Sequence, residues 1–86
     1  MIFINHYRIK DGKRDEVIKR RLEIGRKETA GTKILGEWSA LEGNRGFLVF
    51  ETDQPDYSWT MTWSDLLDME VIPVLDTEKD VMKLLK

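Results

Sequence analysis

Eighty-six residues, 41% hydrophobic and 35% charged, describe a single globular domain spanning residues 1–86 and leave no room for a second. Cysteine is absent, which excludes a disulfide framework and thiolate chemistry. No apolar run approaches the roughly 18 residues of a membrane span. The opening Met1-Ile2-Phe3-Ile4 run has no basic leader and is cut short by Asn5 and His6, so no signal peptide is expected and a cytoplasmic location is. The net charge of −2 hides a division, with residues 1–35 at +5 and residues 36–86 at −7. A basic half can attract an anion or a nucleic acid. Here Asp15, Glu16 and Glu23 interrupt it, and a solvated helix face is the simpler account.

Ile2 to Ile9, rich in β-branched and aromatic residues, predicts a first strand, and Lys10-Asp11-Gly12-Lys13 a turn. Arg14 to Ala30 predicts a helix with Val17, Ile18, Leu22 and Gly25 along one face. Gly25 would mark a close approach of helix to sheet, and Gly31 a left-handed cap. Thr32 to Leu41 and Gly46 to Thr52 predict two strands joined by a hairpin at Glu42-Gly43-Asn44-Arg45. Pro55 would open a second helix, capped by Asp53 or Gln54, on which Trp59, Trp63 and Leu66 form one stripe. Met69 to Leu75 predicts the fourth strand. Thr77 with Asp80 resembles a capping box for a short terminal helix that partly buries Val81, Met82, Leu84 and Leu85.

The order predicts an α+β, ferredoxin-like βαββαβ domain: a four-stranded antiparallel sheet with both helices on one face, plus a C-terminal helix. Ile2, Ile4, Leu48 and Phe50 are read as one apolar face, and Phe3, Tyr7, Phe47 and Val49 as the other. With both faces apolar, both are expected to be covered, and a second copy of the chain is the expected cover.

The block Trp59-x-x-x-Trp63-x-Asp65-Leu66-x-Asp68-Met69-Glu70-Val71-x-Pro73-Val74 resembles the signature of a prokaryotic domain-of-unknown-function family. The opening strand, the Gly25-Arg26 step and Trp38 resemble it too. The resemblance implies a dimeric α/β-barrel architecture, two ferredoxin-like sheets packed face to face. It carries no activity. Haem-degrading members of that superfamily use an Asn, a Trp and a histidine on a helix. Asn5 with Trp59 or Trp63 could stand in for two of these, but no predicted helix carries a histidine, so no cofactor is expected.

His6, the only histidine, is the natural candidate for acid–base catalysis, although adjacent strand residues point to opposite faces and separate it from Asn5. Trp38, Trp59 and Trp63, with Asn5, are the candidate ligand-binding residues. Trp59 and Trp63 at helical spacing are more simply a core anchor. Trp38 would pair with Val49 on the open face under a two-residue turn, or with Phe50 on the helix face under a three-residue one. Asp65, Asp68 and Glu70 could attract a hard cation. Lacking a metal loop or histidine partners, they read as a solvated helix end, and no metal is expected.

Arg45-Gly46-Phe47 matches the start of an RNA-recognition motif, but Leu48, Val49 and Thr52 break the pattern, and the acidic second half weighs against nucleic acid. The expected function is therefore that of a homodimer binding a small apolar molecule, with Trp38, Trp59 and Trp63 as walls and His6 as a polar contact. The alternatives are a cofactor-independent oxygenase or isomerase using His6 as base, an RNA-recognition-like module, and a purely structural assembly protein.

Overall fold

Alternating β-branched and aromatic residues, bounded by glycine-containing turns, build a sheet around the first strand. The computed structural model describes residues 1–25, 31–55 and 57–85. In it β1 spans Ile2–Ile9, α1 Arg14–Ile24, β2 Lys33–Ser39, β3 Arg45–Glu51, α2 Ser58–Trp63 and β4 Leu67–Val74. A π turn, Thr77–Val81, and a 3-10 turn, Met82–Leu85, follow. The strands lie in the order β2-β3-β1-β4, each pair antiparallel, which is the ferredoxin-like arrangement. Pro73 costs the sheet little because β4 is an edge strand.

Register decides what each face carries. Phe3 lies opposite Phe50 and Pro73, Asn5 opposite Leu48 and Val71, and Tyr7 opposite Gly46 and Met69. Ile4 lies opposite Val49 and Ile72, and His6 opposite Phe47 and Glu70. The expected grouping of the strands is thus inverted: Ile2 and Ile4 share a face with Phe47 and Val49, while Phe3 and Tyr7 share one with Leu48 and Phe50. Alternation within a strand is legible, but β1 and β3 are not a hairpin, so no local turn sets their relative parity. Both faces still carry apolar side chains.

The β2–β3 hairpin closes with Ala40 N–H donating to the Arg45 carbonyl (2.9 Å), leaving a four-residue loop at 41–44 with Gly43 at φ 87°. Trp38 therefore pairs with Phe47, neither Val49 nor Phe50. Two extra loop residues move the register by two and preserve parity, so Trp38 stays on the open face.

Aromatic contacts organise the core on the other face. Phe3 stacks on Phe50 (5.4 Å, 17°), and Trp59 meets Phe50 edge-on (5.7 Å, 86°). Leu48 completes this cluster. A second one, Trp63, Leu66 and Leu67, packs under Ile9, Val17 and Met69.

The helices differ from expectation. α1 ends at Ile24, and Gly25 at φ 66° donates its N–H to the Arg21 carbonyl as the cap. A Cβ at Gly25 would meet nothing within 4 Å, so it marks no approach to the sheet. Gly31 has φ 83° but lies beyond that end, and the expected helical stretch 26–30 falls outside the described residues. None of α1's residues is buried; Leu22, expected in its core stripe, is 82% exposed. α2 begins at Ser58, three residues past Pro55, with no side-chain cap from Asp53 or Gln54. At the C-terminus the cap is Asp76 rather than Thr77: its Oδ1 accepts from Lys79 N–H (2.9 Å), and Asp80 Oδ2 accepts from Asp76 N–H (2.9 Å). Leu84 and Leu85 are exposed, against the expectation that they are partly buried.

Beyond the packing of Val17 against the Trp63 cluster, ion pairs secure α1. Arg20 donates to Asp65 from both terminal nitrogens (2.6 and 2.8 Å) and to the Thr62 carbonyl (2.8 Å). Its guanidinium lies 5.8 Å from the centre of the Trp63 ring. Arg21 clasps Glu37 of β2 in the same two-pronged way. Lys10 approaches Asp68 at 3.9 Å. Each pair joins the basic first part of the chain to its acidic second part. Among the described residues no helix is long and apolar enough to cross a membrane.

The Asp65 carboxyl is held below its ordinary value, first by the hydrogen bond from Arg20. A depressed folded-state value means stability present above the ordinary carboxylate range and lost as pH falls through the lowered value. Asp65→Asn should therefore lower the melting temperature at pH 7. Circular dichroism melts should show that gap closing below about pH 4 and shrinking in high salt.

Candidate functional site

Because α1 rests on ion pairs at its flank, its inner side does not close onto the sheet. A cavity of about 510 Å³ remains between them. β1 supplies its floor with Asn5, Tyr7 and Ile9, and α1 its roof with Val17, Ile18 and Leu22. Trp63, Leu67 and Met69 close one side, and Glu37 with Ser39 of β2 the other. The lining combines aliphatic and aromatic side chains with the polar Asn5, Tyr7 and Ser39 and the charged Arg14, Arg21 and Glu37.

Two polar features stand out. Asn5 is only 3% exposed, and its Oδ1 has no hydrogen-bond partner among the described residues. Leaving such an acceptor unsatisfied costs about 1–3 kcal/mol. An arriving N–H or O–H group would recover that cost. Beside it, Tyr7 donates to Glu37 Oε2 (3.2 Å), the carboxylate that Arg21 holds at 2.7 and 3.0 Å. Burial, then the Glu37 charge and hydrogen bond, pushes the Tyr7 phenol above its usual value. The phenol therefore stays protonated at neutral pH. Gly46 makes room for it, since a Cβ there would run into the Tyr7 hydroxyl.

The residues expected to form one site lie in three places. Asn5 and Trp63 line the cavity. Trp59 packs on Phe50 in the core alongside. His6 and Trp38 sit on the opposite face of the sheet, in a row that runs Trp38, Phe47, His6, Glu70 across all four strands. There His6 stacks on Phe47 (4.8 Å, 15°), its Nε2 enclosed without a partner among the described residues, and the Trp38 ring folds over Gly36.

Asp65 is engaged by Arg20, and Asp68 approaches Lys10. Among the described residues no group of three or more His, Asp or Glu is arranged to hold a metal ion. Tyr7, Glu37 and Arg21 were not singled out from sequence. Tyr7 was within reach, two residues from Asn5 and so on its face, but its partners depend on a β-bulge between Ile34 and Gly36 and on where α1 docks.

A family model described as a domain of unknown function (DUF3303) matches residues 1–86. No curated protein and no solved structure matches the chain.

In a Tyr57→Phe background only Tyr7 contributes a phenolate signal, and absorbance at about 295 nm should show it ionising above pH 10. Glu37→Gln should bring that midpoint down by removing a neighbouring negative charge. A raised folded-state value also means that stability falls as pH climbs past 10, and alkaline melts should show the decline.

Proposed function

The chain belongs to the DUF3303 family, a domain of unknown function, and since membership brings no activity with it we propose, from its own geometry, that the protein is a homodimer of α/β-barrel type that binds a small, largely apolar molecule between α1 and the sheet. The observation that carries this reading is the buried Asn5 Oδ1, without a partner among the described residues, beside the apolar part of the cavity wall. Binding sites for small molecules are of this kind, about 300–1,000 Å³ of apolar wall with a few placed polar groups. Tyr7 and the Arg21–Glu37 pair supply the remaining polarity. His6 faces away from the cavity, which favours binding over base chemistry by that residue.

Self-pairing is supported by the other face. Ile4, Val49 and Ile72 form one row across three strands, with Phe47 and Trp38 in the next. Trp38 is 58% exposed, and Ile72 and Phe47 are also open to solvent. A contiguous apolar sheet face favours association, and a two-fold axis lets one such face cover its own copy. Charged residues flank it: Arg8, Arg45 and Asp68 at one end, and Lys33 opposite Glu51 at the other.

Two experiments separate these parts. Light scattering should give twice 10.1 kDa for the wild type and 10.1 kDa for Val49→Asp; a monomeric wild type defeats the dimer. For the cavity, N-phenyl-1-naphthylamine should bind with quenching of tryptophan emission, and Val17→Trp should block it by filling the roof. Asn5→Leu should raise the melting temperature, by removing the unsatisfied acceptor, and weaken binding about tenfold. A variant that neither gains stability nor loses affinity removes Asn5 from the site.

A further inference from the structure

The cavity's charge is unevenly distributed along its length. Toward the end of β1 at Ile9 its mouth is lined by Arg14, the first residue of α1. Arg14 has no ion-pair or hydrogen-bond partner among the described residues, unlike Arg20 and Arg21 on the same helix. Its guanidinium lies against Gly43 of the hairpin loop, where an added Cβ would stand 3.1 Å from a terminal nitrogen. That glycine leaves it room at the mouth.

The other charges on the cavity wall compensate one another, since Arg21 is bound to Glu37. The acidic residues of α1's first turn, Asp15 and Glu16, are not part of the lining. The far end holds the opposite requirement: Asn5 Oδ1 needs a donor. Asn5 and Ile9 are four positions apart along β1, about 13 Å of chain.

Resting on the reading of this cavity as a binding site, we infer that its ligand is an elongated organic acid. A carboxylate or equivalent oxyanion meets Arg14 at the mouth, an apolar body lies along Val17, Ile18 and Met69, and a hydrogen-bond donor reaches Asn5. A planar guanidinium suits an oxyanion because it can present two parallel N–H groups. A partly exposed Arg also discriminates by charge without the cost of deep desolvation.

The test compares dansylaminohexanoic acid, which carries a carboxylate and a sulfonamide N–H, with hexyl dansylamide, the same skeleton without the carboxylate. Fluorescence titration of the full chain at low salt should show the acid binding about tenfold tighter. That preference should nearly vanish in Arg14→Gln, shrink as salt is raised, and persist in Lys79→Gln, which alters the C-terminal turn outside the cavity lining. Equal affinity for the two compounds, or a preference that Arg14→Gln leaves intact, overturns the anionic assignment while the cavity still stands. Failure of both compounds to bind, or binding that survives both Val17→Trp and Ile18→Trp in folded protein, overturns the cavity reading and the inference with it.

Discussion

The clasp of Arg20 on Asp65 and of Arg21 on Glu37 is the constraint from which the rest follows. A helix normally docks by burying an apolar stripe, and the distance to the sheet is then set by side chains in contact. α1 buries none of its residues, so its position is set by two guanidinium–carboxylate pairs near its C-terminal half. Exposed ion pairs are individually weak, but two-pronged geometry and the shared contacts of Arg20 with the Thr62 carbonyl and the Trp63 ring make this one a joint. The cavity exists because the joint holds the helix at its flank and not through its inner face.

The same joint explains the charge division of the chain. A basic first part and an acidic second part look like a surface prepared for an outside partner, yet the pairs Arg20–Asp65, Arg21–Glu37 and Lys10–Asp68 all cross between them. Much of the asymmetry is satisfied internally. Arg14 stands apart in having no ion pair among the described residues.

The sheet divides the molecule chemically. Its helix face carries the aromatic core, the unpartnered Asn5 and the protonated Tyr7, while its open face carries the Trp38–Phe47–His6–Glu70 row and an aliphatic row beside it. The radius of gyration, 14.6 Å against about 12 Å for a compact domain of this length, is that of an extended molecule. The exposed C-terminal turns, with Leu84 and Leu85 in solvent, and the gap beneath α1 both act in that direction.

The sequence by itself determined the order of elements, the bounds of β1, the ferredoxin-like class and the opposite orientations of Asn5 and His6. All of these depend on local periodicity and turn chemistry, which act over a few residues. It also marked Asn5 and Trp63 as candidate ligand-binding residues, and both line the cavity. Tertiary structure alone decided which strands share a face, because β1 and β3 have no turn between them to set parity. It decided that Trp38 belongs to the open face with His6, through a loop of four residues where two or three were expected. It decided that Gly25 caps α1 rather than touching the sheet. Above all it brought Tyr7, Glu37 and Arg21 together and left a cavity between the sheet and α1. A void is a property of how elements fail to close on one another, and no periodicity along the chain encodes it.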